Sequence, residues 1–158
     1  MRFRENYMLW ANDWEYGTVT IIICVFFHTI SLLALTTIMF HEKLAGIRDK
    51  SIYISAILFS FFALCTIVIH VIDALMWAIV YLRIGAANDF PSAFLHSLGA
   101  FTTLGDATII VDEKWRLLIQ LEALNGAVAL GLTTALLYSS ARRIQQIIDA
   151  GVAREHRK

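Results

Sequence analysis

Three apolar runs, residues 18–40, 51–83 and 114–138, constrain this chain more than any other feature. Each is long enough to cross the hydrocarbon core of a bilayer, which takes about 20 helical residues. Inside lipid every backbone polar group has to bond within its own structure, so uninterrupted runs of this length read as helices. The second run is longer than the core requires and has to tilt or protrude. Hydrophobic residues make up 58% of the sequence and charged ones 16%, with one proline, and these proportions predict an all-α membrane protein. Formal net charge is zero, so no basic footprint for nucleic acid exists. Cys24 and Cys65 lie inside apolar runs without ligand-like spacing and read as inert thiols in the lipid phase.

Around these runs the chain divides as follows. Residues 1–17 are polar but carry Phe3, Tyr7, Trp10 and Trp14 at helical spacing, which fits either an interfacial helix or an ordered lead-in to the first span. No cleavable signal is evident, because the apolar run starts late. Residues 18–40 form transmembrane helix 1, and 41–50 a charged loop with Lys43, Arg48 and Lys50. Residues 51–83 form the next helix, and 114–140 the last. The tail, 141–158, carries an apolar stripe of Ile144, Ile147, Ile148 and Val152, which suits a bundle beneath the membrane or a solvated helix. Eight Lys and Arg fall in the 41–50 loop and the tail, against five elsewhere. Positive-inside bias therefore predicts a multi-pass protein of the inner (plasma) membrane with its N-terminus outside and its C-terminus cytoplasmic.

Residues 90–113 do not fit a spanning helix. The stretch 94–112, FLHSLGAFTTLGDATIIVD, is too rich in Gly and Thr, yet it lies between apolar helices. Asn88, Asp89 and Pro91 mark the start of a short helix, expected from about residue 92 to 101. A non-helical Thr-Thr-Leu-Gly-Asp follows. Irregular backbone at membrane depth survives only where protein buries it or water bathes it. The pattern predicts a re-entrant helix and loop, with helix C-terminal carbonyls able to favour a cation.

Residues 51–140 resemble the pore module of potassium-channel-type proteins, and more narrowly a set of small bacterial ion-channel proteins. Those read TTLGYGD, then WRLL, then EALNG; here FTTLGD stands at 101–106, WRLL at 115–118 and EALNG at 122–126. The resemblance implies an outer helix, a pore helix, a filter and an inner helix, repeated in a homotetramer. The departure is as informative. Tyr-Gly is missing between Gly105 and Asp106, so TLGDA is closer to the TVGDG of nonselective sodium–potassium channels. The implied filter is Thr102, Thr103, Leu104, Gly105 and Asp106, with carbonyls of Thr102 to Leu104 and the Thr103 hydroxyl forming one or two dehydrating sites. The implied function is conduction of K+, and also Na+, with weakened selectivity. Asp106 has two readings: a ring of carboxylates with Asp112 and Glu113, able to hold Ca2+, or a brace behind the filter.

In the last helix, Gly126 falls where the resemblance puts a hinge, although close packing through Gly126 and Gly131 explains them equally. Ala127, Leu130, Thr134 and Tyr138 would then face a cavity, with Leu130 and Tyr138 as constrictions. Glu122, Asn125 and Ser97 are the expected filter support, Glu122 bonding Ser97 or Thr102, since an ionisable group inside a span needs a partner. His28, His70 and Asp73 lie at similar depth on two antiparallel helices; a metal or proton-sensing group is one reading, and an interhelical hydrogen bond the stronger one. His96 reads as packing before pH sensing.

No catalytic constellation and no phosphate-binding loop stands out, so an enzyme is not expected. Nor is a cofactor, a dedicated metal or a soluble ligand-binding domain. Three functions follow from these readings. The first is a pore-forming cation channel. The second is a non-conducting regulatory or assembly protein derived from a pore module. The third is a proton or metal transporter using His28, His70, Asp73 and Glu122.

Overall fold

The structure, a computed structural model, describes residues 2–41, 52–105 and 115–155, with side chains over 12–41, 52–105 and 115–150. Four helices account for nearly all of it: α1 Arg2–Met39, α2 Ile52–Arg83, α3 Phe90–Phe101 and α4 Arg116–Glu155. No strand occurs among the described residues. Three stretches are long and apolar enough to cross a membrane, Asn12–Met39 in α1, Ile52–Arg83 in α2 and Arg116–Ala150 in α4. At 1.5 Å per residue the 28 residues in α1 and the 32 in α2 reach about 42 and 48 Å, beyond a core of about 30 Å. The architecture is that of an all-α membrane protein.

Four threonine hydroxyls inside these spans bond to their own helix. Thr20 donates to the Tyr16 carbonyl, Thr36 to Leu32 and Thr37 to Leu33, each four residues back, while Thr66 donates to Ala63. A threonine that bonds its own helix brings no unmet donor into lipid. Outward positions of α1 and α2, among them Ile22, Phe26, Ile57 and Phe61, are apolar and exposed, as a lipid-facing surface requires.

The chain forms two compact units. Met1–His28 with His70–Leu130 make the first, and Thr29–Ile69 with Gly131–Lys158 the second. The first packs Trp77, Tyr81, Phe101, Leu118 and Leu121 into one core around α3. Gly17 allows α1 to approach α4 there, because a Cβ at that position would run into Leu121. The second unit is smaller. It is centred on Met39, Phe62 and Ile144, with the Arg143 guanidinium 4.2 Å from the Phe40 ring centroid.

Three features of this framework differ in extent from the sequence expectation. Helix α1 is continuous through the boundary placed at 17/18, α4 continues past 140 into the segment read as a tail, and α3 starts at Phe90 rather than near 92. The aromatic side chains of Phe3, Tyr7 and Trp10, the loop cations Lys43, Arg48 and Lys50, and Asp106, Asp112 and Glu113 lie outside the described residues or side chains, as does Val152 in the tail stripe.

Candidate functional site

The short helix α3 is fixed at both ends. At its start the Asp89 side chain accepts from Ser92 N at 2.9 Å and from Ser92 Oγ at 3.0 Å, with Pro91 in the first turn; this caps a free N–H and presets φ. At its end Thr102 is the cap residue, and Thr103 N donates to Ala100 O while Gly105 N donates to Gly99 O, both at 3.0 Å. The backbone turns by placing Thr103 at φ 58° and Gly105 at φ 69°. Glycine adopts that region freely, but a β-branched residue does so only under strain. Residues 102–105 are all exposed, Leu104 to 83%. Among the described residues no donor reaches the carbonyl oxygens of Thr102, Thr103 or Leu104.

Behind α3 lies a buried polar group. Glu122, fully enclosed in α4, accepts from Tyr81 Oη at 2.6 Å on one oxygen and from Ser97 Oγ on the other. Ser97 Oγ is also 2.6 Å from the Ala74 carbonyl, and its single proton serves one of these two acceptors. One carboxyl thus ties α2, α3 and α4 together. Thr102, the alternative partner for Glu122, turns its hydroxyl to Leu98 O instead. Asn125 is buried beside the Cys24 thiol of α1, and its amide makes no hydrogen bond of ordinary geometry. At Gly126 the backbone carbonyl of Phe101 occupies the space a Cβ would need, so the last turn of α3 rests directly on α4. Gly131 has nothing within 4 Å of that position. Ala127, Leu130, Thr134 and Tyr138 are each exposed.

The second polar group joins α1 to α2. His28 Nδ1 is 2.6 Å from Asp73 Oδ2, and the His28 and His70 ring centroids are 5.0 Å apart. The other Asp73 oxygen and both His70 ring nitrogens are buried without a hydrogen-bond partner. Left so, each such group costs about 1–3 kcal/mol. His96 is also buried, its ring edge-on to Tyr81 at 5.1 Å.

Against protein-family models, curated proteins and solved structures, the chain has no match. Its chemistry is therefore read from the geometry alone.

Two residues at the site escape the sequence reading. Tyr81 lies one turn beyond Trp77 on the stripe His70, Asp73, Trp77, so extending that spacing by four positions finds it. Asp13 is fully buried and faces the backbone N–H groups of Leu117 and Leu118 in the first turn of α4, without closing a bond of ordinary geometry. A carboxylate suits a helix N-terminus. No pattern in the sequence joins residue 13 to residue 117.

Proposed function

We propose that the chain is the pore-forming subunit of a tetrameric cation channel, with residues 102–106 of four copies around one axis. The observation that carries this reading is the exposed, non-helical backbone at 102–105, held at the end of a short capped helix between membrane-length helices. Such backbone is stable at membrane depth beside water or protein, not beside lipid. Carbonyl oxygens of Thr102, Thr103 and Leu104 without internal donors are suited to replace part of a cation's hydration shell. The Glu122, Ser97 and Tyr81 bonds and the seat of Phe101 on Gly126 supply the rigidity that such a site needs.

Two features set the selectivity expected. The sequence has fewer residues than a four-site ladder requires, and Gly105 N bonds back to Gly99 O, so residues 102–105 turn back onto α3. Few dehydrating sites in series give weak preference for K+ over Na+. Asp106, next in sequence, then serves either as acidic charge at the mouth or as a brace behind the filter, and Leu130 and Tyr138 are the constrictions on α4.

The same backward bond favours a second reading, in which the closed turn does not conduct and the protein serves assembly or regulation. Reconstitution of the purified chain alone into liposomes separates the two. K+ and Na+ currents reversing well away from the potassium equilibrium potential are expected. Tight vesicles would sink the channel reading, and reversal at the potassium potential would sink the weak-selectivity part.

A further inference from the structure

We propose that His28, His70 and Asp73 form a binding site for one zinc-like divalent transition metal ion per chain, clamping α1 to α2. One ligand atom from each residue lies within 4.8 Å of the other two. The ligands are imidazole and carboxylate, the donor set that zinc and its neighbours select, whereas calcium and magnesium take oxygen. His70 and Asp73 are three residues apart on α2 and so share a face, and His28 approaches from α1.

A simple interhelical hydrogen bond explains only part of this group. The 2.6 Å contact between His28 and Asp73 would join the helices without any help from His70. Yet His70 presents two buried, unpartnered nitrogens beside that pair, and Asp73 keeps a buried, unpartnered oxygen. A metal takes one His70 nitrogen and one Asp73 oxygen, and replaces the proton in the His28–Asp73 contact. That pair then has to open to about 3.3 Å, the edge of a tetrahedron with bonds near 2.0–2.1 Å. Side-chain rotation is enough for such a change. Three protein ligands leave the fourth position to water, as in sites that exchange their ligand.

The site also has a route to the rest of the first unit. The His70 ring lies 5.9 Å from that of Phe101, the last residue of α3, whose carbonyl rests on Gly126. Metal binding therefore orders the segment that seats α3, and stability rises with occupancy.

The test uses the full chain in detergent, stripped with a chelator and titrated with cobalt(II). One equivalent per chain with the intense visible bands of tetrahedral cobalt, displaced by zinc, and a rise in melting temperature with either metal are expected. His70→Phe should weaken binding by about a hundredfold or more, and Asp73→Asn likewise. The second variant keeps shape and hydrogen-bonding capacity, so the test survives if the first does not fold. His41→Ala, at an exposed position on no part of the cluster, should bind as the parent does. Absence of the tetrahedral spectrum in the parent, or its retention in Asp73→Asn, overturns the site. Neither result depends on whether the chain conducts ions.

Discussion

Gly126 and Gly131 of α4 differ in whether there is room for a methyl group. A Cβ at Gly126 would collide with the Phe101 carbonyl, which belongs to backbone and cannot swing aside, while at Gly131 it meets open space. Gly126→Ala should therefore lower stability by about 1–3 kcal/mol through overpacking. Gly131→Ala should be neutral or stabilising by up to about 1 kcal/mol, since alanine is the better helix former. Unfolding midpoints of the two variants in detergent check this; equal losses would mean the contact with Phe101 is absent from the assembled protein. The same residues show how far the sequence was legible. A carboxyl inside a span has to find a donor, and Ser97 on the neighbouring helix could be named for Glu122 beforehand. Whether Gly126 bends the helix or admits a neighbour depends on a carbonyl 25 positions away in the chain, and no local spacing reveals that. The burial of Asn125 beside the Cys24 thiol of α1 is a contact that no spacing in the sequence announces.

At the level of elements, helix ends were legible where a cap is written in the residues and not where only polarity changes. Helix α2 stops with Gly85 at φ 69°, where Ala86 N reaches Tyr81 O and Gly85 N reaches Leu82 O, and a glycine in that place announces itself. Asp89 and Pro91 likewise mark the start of α3. By contrast, the steps from polar to apolar at 17/18 and from apolar to charged near 140 mark where lipid would end. Helical hydrogen bonds continue across both, through Gly17 and Thr18 at the first and Ser139 and Ser140 at the second, and neither step carries a proline. The end of α3 is the instructive case, because threonine there takes the left-handed conformation that glycine takes after α2. Holding an L-residue left-handed costs about 1–2 kcal/mol, and glycine's extra backbone entropy costs about 0.5–1 kcal/mol. Thr103→Gly should then leave stability unchanged or raise it by up to about 1 kcal/mol, whereas Thr103→Pro, with φ fixed near −65°, should destabilise by more than that. Chemical denaturation of the reconstituted variants reads both. A clear loss in Thr103→Gly would mean that the assembled protein holds this segment in another conformation, such as an extended filter strand.

For the whole molecule the question is what covers the surface one chain leaves open. Its apolar outward positions on α1 and α2 are suited to lipid. Residues 102–105 are different in kind, because they are exposed and the carbonyl oxygens of Thr102, Thr103 and Leu104 accept no hydrogen bond among the described residues. Lipid against such groups costs several kcal/mol apiece, more than a domain's margin of stability would tolerate over four residues. Covering them with further copies of the same chain requires closed rotational symmetry, since an open arrangement would leave one copy exposed. The proposed channel, with one such segment from each chain around a common axis, calls for four copies. Native mass spectrometry of the protein released from nanodiscs should accordingly find a species of four times the 17.8 kDa chain mass. Chemical cross-linking in the intact membrane should give a ladder ending at the fourth band. A monomer or dimer that is stable, helical and unchanged on dilution would mean that residues 102–105 are covered from within the chain or lie in the interfacial water, and the pore would lose its axis.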